Sequence, residues 1–224
     1  VGSRALEAIT TGGNNIAIGY QAGDALTTAS ENIAIGYAAL GVADAGEGGN
    51  VVIGNEAGNA INNAAADHNV IIGISAGQGG TGAMAQCIAI GKGAMNSTSS
   101  NAQTGTVAIG SDALNALTSG AGNTAVGYLA GDNLTDGAHN TIVGYQAADS
   151  AGTRNNADHN VAVGNAALAS LTTGDDNTVV GSNAGYNTAG GERNTFIGRS
   201  SGNANTSGNY NTAVGYQSLV ENED

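Results

Sequence analysis

Three histidines, His68, His139 and His159, each directly precede an asparagine: Asn69, Asn140 and Asn160. Imidazole exchanges protons near neutral pH and ligates metals, so such residues from several chains could meet as a metal or pH-sensitive ring. The same positions border Gly-, Asn-, Thr- and Ser-rich stretches of variable length with no companion ligand, as solvated turn residues do, and no metal is assigned. Tyr20, Tyr37, Tyr128, Tyr145 and Tyr216 each follow a glycine. Recurring in that way they would form an aromatic contact strip for a host-surface glycan or protein, or else cover the rim of a core with their hydroxyls in water. They are the candidate surface-contact residues. Asp24, Asp132 and Asp175 do not recur in the Gly-Gly-x-Gly-x-Asp phase that a calcium β-roll needs in each coil. Cys87 is the single cysteine, which excludes an intrachain disulfide and a Cys-based zinc site within one chain. No phosphate loop, phased nucleophile–base pair or inward carboxylate dyad is present. The expectation is a protein without catalytic residues or cofactor.

The element that must position these residues is one small unit copied end to end. Glycine recurs at 2, 19, 36, 54, 73, 91, 110, 127, 144, 164, 181, 198 and 215, in steps of 17 to 20 residues. A fixed period of this length marks a stacked repeat architecture. With each of these glycines as position zero, minus one is always Val or Ile, from Val1 to Val214, and minus three is always Ile, Val or Thr. Two β-branched residues in alternation mark a short strand. Minus two is apolar as well, alanine in most copies and Val52, Ile71, Ile142, Val179 or Phe196 in the others. Plus three is Ala or, at Ser201 and Ser218, serine, which suggests close packing of layers. Glycine at zero suits either a positive φ or a close backbone approach. The threonines at minus three, Thr124, Thr141, Thr178, Thr195 and Thr212, resemble an ice-binding column, interrupted by Val161 and by the Ile/Val residues of the first half.

No charge falls between minus four and zero in any copy, so that whole window, the threonine column included, is expected to be buried. The stretch from minus four to plus four has constant length and the connections absorb the insertions, as loops do and ladders do not. Apolar residues at plus seven (Leu26, Ile61, Leu117, Leu134, Leu171) predict a second, weaker strand. Asparagine stands at minus four in ten of twelve copies, with Cys87 and Thr106 as the exceptions, and stacked amides there could form a hydrogen-bonded ladder.

Composition bounds the function. Among 224 residues there are 38 glycines, no proline, no tryptophan and one phenylalanine, which excludes a conventional bulky core. The formal charge of −13 with five basic residues argues against nucleic acid. No apolar run is long enough to span a membrane and no signal-peptide layout opens the chain. Both ends fall inside a repeat, Val1-Gly2 aligning with Ile109-Gly110 and 220–224 ending without a cap, so residues 1–224 are read as one repeat array from a longer fibre. The longest connection runs from Ala148 to Asn160 through Arg154. A strand apolar on both faces must be covered on both. One face can close onto its own coil, and the other, bearing the Ile/Val rows, needs an outside partner, most simply another copy of the chain.

The strings Asn32-Ile-Ala-Ile-Gly36, Asn123-Thr-Ala-Val-Gly127, Asn160-Val-Ala-Val-Gly164 and Asn211-Thr-Ala-Val-Gly215 resemble the head repeat of trimeric autotransporter adhesins of the YadA type. Asn140-Thr-Ile-Val-Gly-Tyr-Gln-Ala147 is also similar to segments of phage and other viral tail fibres. The adhesin repeat is shorter than the 17 to 20 residues here, a difference that falls in the outer turn. The resemblance implies an intertwined homotrimer about a common axis, on a virion or a cell surface, in a tail fibre for host attachment or a bacterial adhesin head. The fold expected is all-β, a parallel β-roll or β-solenoid of about 13 coils. A monomeric ice- or ligand-binding solenoid is the alternative of another class.

Overall fold

A computed structural model of the chain describes residues 2–43, 46–59, 61–79, 82, 84–97, 103–150 and 155–220. Val1, Arg154 and 221–224, which entered the sequence reading, lie outside the described residues. The fold is all-β, a parallel β-solenoid, and its contacts divide it into two compact units, Val1–Asp112 and Ala113–Asp224.

The first unit carries β1 (Ile16–Ile18), β2 (Ile33–Ile35), β3 (Val51–Ile53), β4 (Val70–Ile72), β5 (Met84–Ala85), β6 (Ile88–Ile90), β7 (Gln103–Thr104) and β8 (Val107–Ile109). The second carries β9 (Thr124–Val126), β10 (Thr141–Val143), β11 (Val161–Val163), β12 (Thr178–Val180), β13 (Thr195–Ile197) and β14 (Thr212–Val214). In both units each three-residue strand pairs in parallel with the next repeat, residue for equivalent residue: Ile16 opposes Ile33, and Thr195 opposes Thr212. The register follows from the repeat, since equal positions stack on equal positions and apolar residues meet apolar residues.

Four left-handed positions bend each coil. Glycine at zero has φ between 124° and 144° from Gly19 to Gly215, and a Cβ on Gly54 would collide with the carbonyl oxygen of Gly73. Both reasons for a glycine therefore operate together. The other three positions, minus five, plus two and plus four, have positive φ in every described coil, at non-glycine residues such as His68, Glu56 and Leu114 as well. Left-handed backbone costs an L-residue roughly 1–2 kcal/mol. Coil-to-coil hydrogen bonds at the same positions offset it: the Ala38 N–H donates to Tyr20 O at 2.9 Å, Gly23 N–H to Ala39 O at 2.9 Å and His139 N–H to Ala121 O at 3.0 Å. The ladder therefore continues through the turns beyond the strand.

The plus-seven expectation was half right. Leu26, Ile61, Leu117, Leu134 and Leu171 are all buried, but of the five only Leu134, in an isolated bridge, has any strand character. Strand character beyond the main run is confined, among the described residues, to the pair β5–β7 and to isolated bridges at Ser30–Gly48 and Leu134–Asn155. With the turn backbone already hydrogen-bonded from coil to coil, a side chain at plus seven enters the core without a strand to carry it.

The buried asparagines form the expected amide ladder. Asn32 Oδ1 accepts from the Asn50 N–H at 3.0 Å and from its amide at 3.1 Å, while the Asn32 amide donates to Glu47 O at 2.9 Å. The second unit repeats this through Asn123, Asn140, Asn160, Asn177 and Asn194. Each side chain so satisfied removes a buried polar cost.

The expected burial of the whole strand window needs correction. Minus four and minus two point inward, with Asn50, Val52, Ile71, Ala89 and Phe196 fully buried. Minus three and minus one point outward and are half-buried to exposed, Ile18 reaching 48% and Val214 65%. Thr141, Thr178 and Thr212 are exposed. The coil interior is thin, and the small alanines frequent at minus two fit it where two β-branched side chains would not.

Candidate surface-contact site

The five tyrosines sit on the turn just past the strand, where the chain leaves glycine zero. The carbonyls of Tyr20, Tyr37, Tyr128 and Tyr145 are fixed at coil spacing, because the N–H of the following coil's plus-two residue donates to them: Glu56 to Tyr37 O at 2.8 Å, Gln146 to Tyr128 O at 2.9 Å and Ala166 to Tyr145 O at 2.9 Å. In the first unit the Tyr20 and Tyr37 rings stack with centroids 5.7 Å apart, and in the second Tyr128 and Tyr145 stack at 5.3 Å. All four are about half exposed. The rings form two pairs in place of a continuous strip, since intervening coils place Asn55, Ile74, Lys92, Ser111, Asn165 or Ser182 at the same position. Tyr216 pairs instead with the Arg199 guanidinium, 5.9 Å from its ring centre, a cation–π contact. Tyr210 and Arg193 make a second such contact at 5.6 Å. In the sequence only the shared minus-five phase of the two residues signals this contact.

The histidines occupy the left-handed minus-five turn, as the turn reading expected. His139 and His159, on successive coils, stack at 5.2 Å, and the His68 ring lies against Gly49. A glycine one coil earlier, Gly49 or Gly122, leaves room for the ring. Among the described residues no group of three or more His, Cys, Asp or Glu side chains could hold a metal ion. Burial pushes the Cys87 thiol up, and backbone hydrogen bonding at Thr106, Gly105 and Ala85 opposes the shift. Asp149 is likewise raised by burial, with the Asn133 amide opposing.

What the surface offers chemically is paired aromatic rings flanked by carboxylates and amides. Around Tyr37, Gln21 donates to Asp24 Oδ2 at 3.1 Å and Gln78 to Glu56 Oε2 at 3.5 Å. No protein-family model, curated protein or solved structure matches this chain. No helix among the described residues is long and apolar enough to cross a membrane.

Proposed function

We propose that this chain is a structural rod segment of an extracellular attachment fibre, a homotrimer of about 13 coils counted from Gly2, set in a phage or viral tail fibre that attaches to a host. Its role is mechanical and non-enzymatic, and its surface partner is a host glycan or protein. A bacterial surface adhesin head is the other setting. One observation supports the assembly above all. In the first unit all twelve outward strand residues, Ile16 to Ile109 at minus three and minus one, are Ile or Val, in register from strand to strand. A parallel sheet with an uncovered face of this kind is unfavourable in water, and large apolar patches mark interaction surfaces. A further copy of the chain supplies a matching face, and closed symmetry limits the assembly. Light scattering at low concentration tests this: the expected result is a stable oligomer, and a cooperatively folding monomer rejects it. Electron microscopy of the whole particle then separates virion from cell surface.

The outward-facing threonines favour a second reading. Thr178, Thr195 and Thr212 stand in consecutive register on an outward row, as a monomeric ice-binding solenoid would present them. An ice-recrystallisation assay on the chain decides it, with inhibition by a monomer as the supporting result.

A further inference from the structure

A cleft of about 270 Å³ opens in the first unit beside Tyr37. Its origin can be followed coil by coil. At plus two, three successive coils carry Gln21, Ala38 and Glu56, and at plus five they carry Asp24, Gly41 and Asn59. The middle coil thus lacks both of the polar side chains that its neighbours have, and the gap is the cleft. Gly41 is not required by the backbone, since it is not among the residues of positive φ. A Cβ there would instead point at Asn59 Oδ1, 2.8 Å away, so the glycine keeps space open.

The lining has a definite chemistry. Asp24 and Glu56 come from opposite sides, each carboxylate held by an amide, Gln21 at 3.1 Å and Gln78 at 3.5 Å. Asn59 adds a further amide. The Tyr37 ring stands at the edge, stacked on Tyr20, and the next coil has the exposed Asn55 at that position in place of a third ring. Among the described residues no lysine or arginine lines the cleft.

We propose that this cleft binds one neutral hexose-type residue of a surface polysaccharide. Carboxylates and amides accept and donate hydrogen bonds to neighbouring hydroxyls, and an aromatic ring offers its face to the apolar C–H side of a sugar. Two carboxylates without a basic residue repel sialic acid, uronic acids and phosphorylated sugars. The volume lies just below the roughly 300–1,000 Å³ of sites for drug-sized ligands, which suits a single ring. The cleft uses positions plus one to plus six, outside the minus-three and minus-one face assigned to chain–chain packing. It rests on the attachment reading for the source of the sugar.

Saturation-transfer NMR on the full chain with glucose, galactose and mannose, and with sialic acid as the anionic probe, tests the proposal. Transfer from at least one neutral hexose and none from sialic acid is expected. The double substitution Ala38→Gln/Gly41→Asp gives the middle coil its neighbours' side chains and should weaken binding at least about ten-fold, or 1.4 kcal/mol. Tyr37→Ser, at an exposed position, should weaken it as well, which keeps the test open if the filled variant fails to fold. Absence of transfer from every neutral hexose, or unchanged binding in a folded filled variant, overturns the cleft. Light scattering on the same samples separates the two readings: a sugar-binding monomer rejects the fibre and keeps the cleft, while an oligomer that binds no hexose rejects the cleft alone.

Discussion

Cys87 fills the slot that asparagine occupies in ten other coils. Its thiol donates to Ala85 O at 3.3 Å and Gln103 O at 3.6 Å, and the second of these is the carbonyl position that each ladder amide reaches. Sulfur is a weak acceptor, however, so the run of amide oxygens stops there, and the buried Thr106 hydroxyl on the next coil lacks a hydrogen-bond partner. The double substitution Cys87→Asn/Thr106→Asn should extend the ladder and raise stability by about 1–2 kcal/mol. Urea denaturation measures this, and a lower midpoint would show that the coil geometry there rejects an amide. Asp149 supplies a pH dependence. Its folded pKa is raised chiefly by burial, so the fold favours its protonated form. That contribution is present at low pH and is lost as pH rises through the folded pKa. Asp149→Asn should therefore melt higher than the native chain at neutral pH, with the difference closing on acidification. A constant difference across the titration would assign the effect to packing.

At the scale of the element, a three-residue strand lasts only because its neighbours define its ends. Asparagine and the left-handed minus-five turn close one side, and glycine zero closes the other. Within the coil, large and small residues alternate across the interior. Phe196 lies where a Cβ on Gly202 would be, and Ile142 and Leu114 crowd Gly131 in the same way. Gly202 also has φ 64°. Gly202→Ala should cost about 2–4 kcal/mol, part from left-handed backbone and part from overpacking. Removing the ring in Phe196→Ala/Gly202→Ala should recover the overpacking part, so a double-mutant cycle is expected to show coupling. Strict additivity would mean that the ring moves aside freely.

For the molecule as a whole, the proposed association rests on the outward Ile/Val rows. Ile53→Lys/Ile72→Lys places two charges on the face assigned to other copies while leaving minus two and the amide ladder untouched. If the proposed trimer forms, light scattering should show a fall from three times the 21.6 kDa chain mass towards one, with the parallel-sheet circular dichroism signal weakened. An unchanged oligomer would place the interface elsewhere. A charge on a desolvated apolar face costs several kcal/mol, so the effect should be large.

Sequence alone determined the period, the strand position, the in-register parallel pairing and the asparagine ladder. Each of these follows from repetition: once equivalent residues stack, every copy imposes the same register on the next. Only the tertiary structure decided which strand face is inward, because minus three, minus two and minus one are all largely apolar and alternation cannot rank two apolar faces. The thin interior ranks them by volume and takes the frequent alanines of minus two. Tertiary structure likewise placed Glu56, His68 and Leu114 in left-handed backbone, which coil-to-coil hydrogen bonds stabilise and local propensity does not announce. The cleft beside Tyr37 was visible in sequence only as the two small residues Ala38 and Gly41. It became a space with walls once the neighbouring coils carried Gln21, Asp24, Glu56 and Asn59 around it.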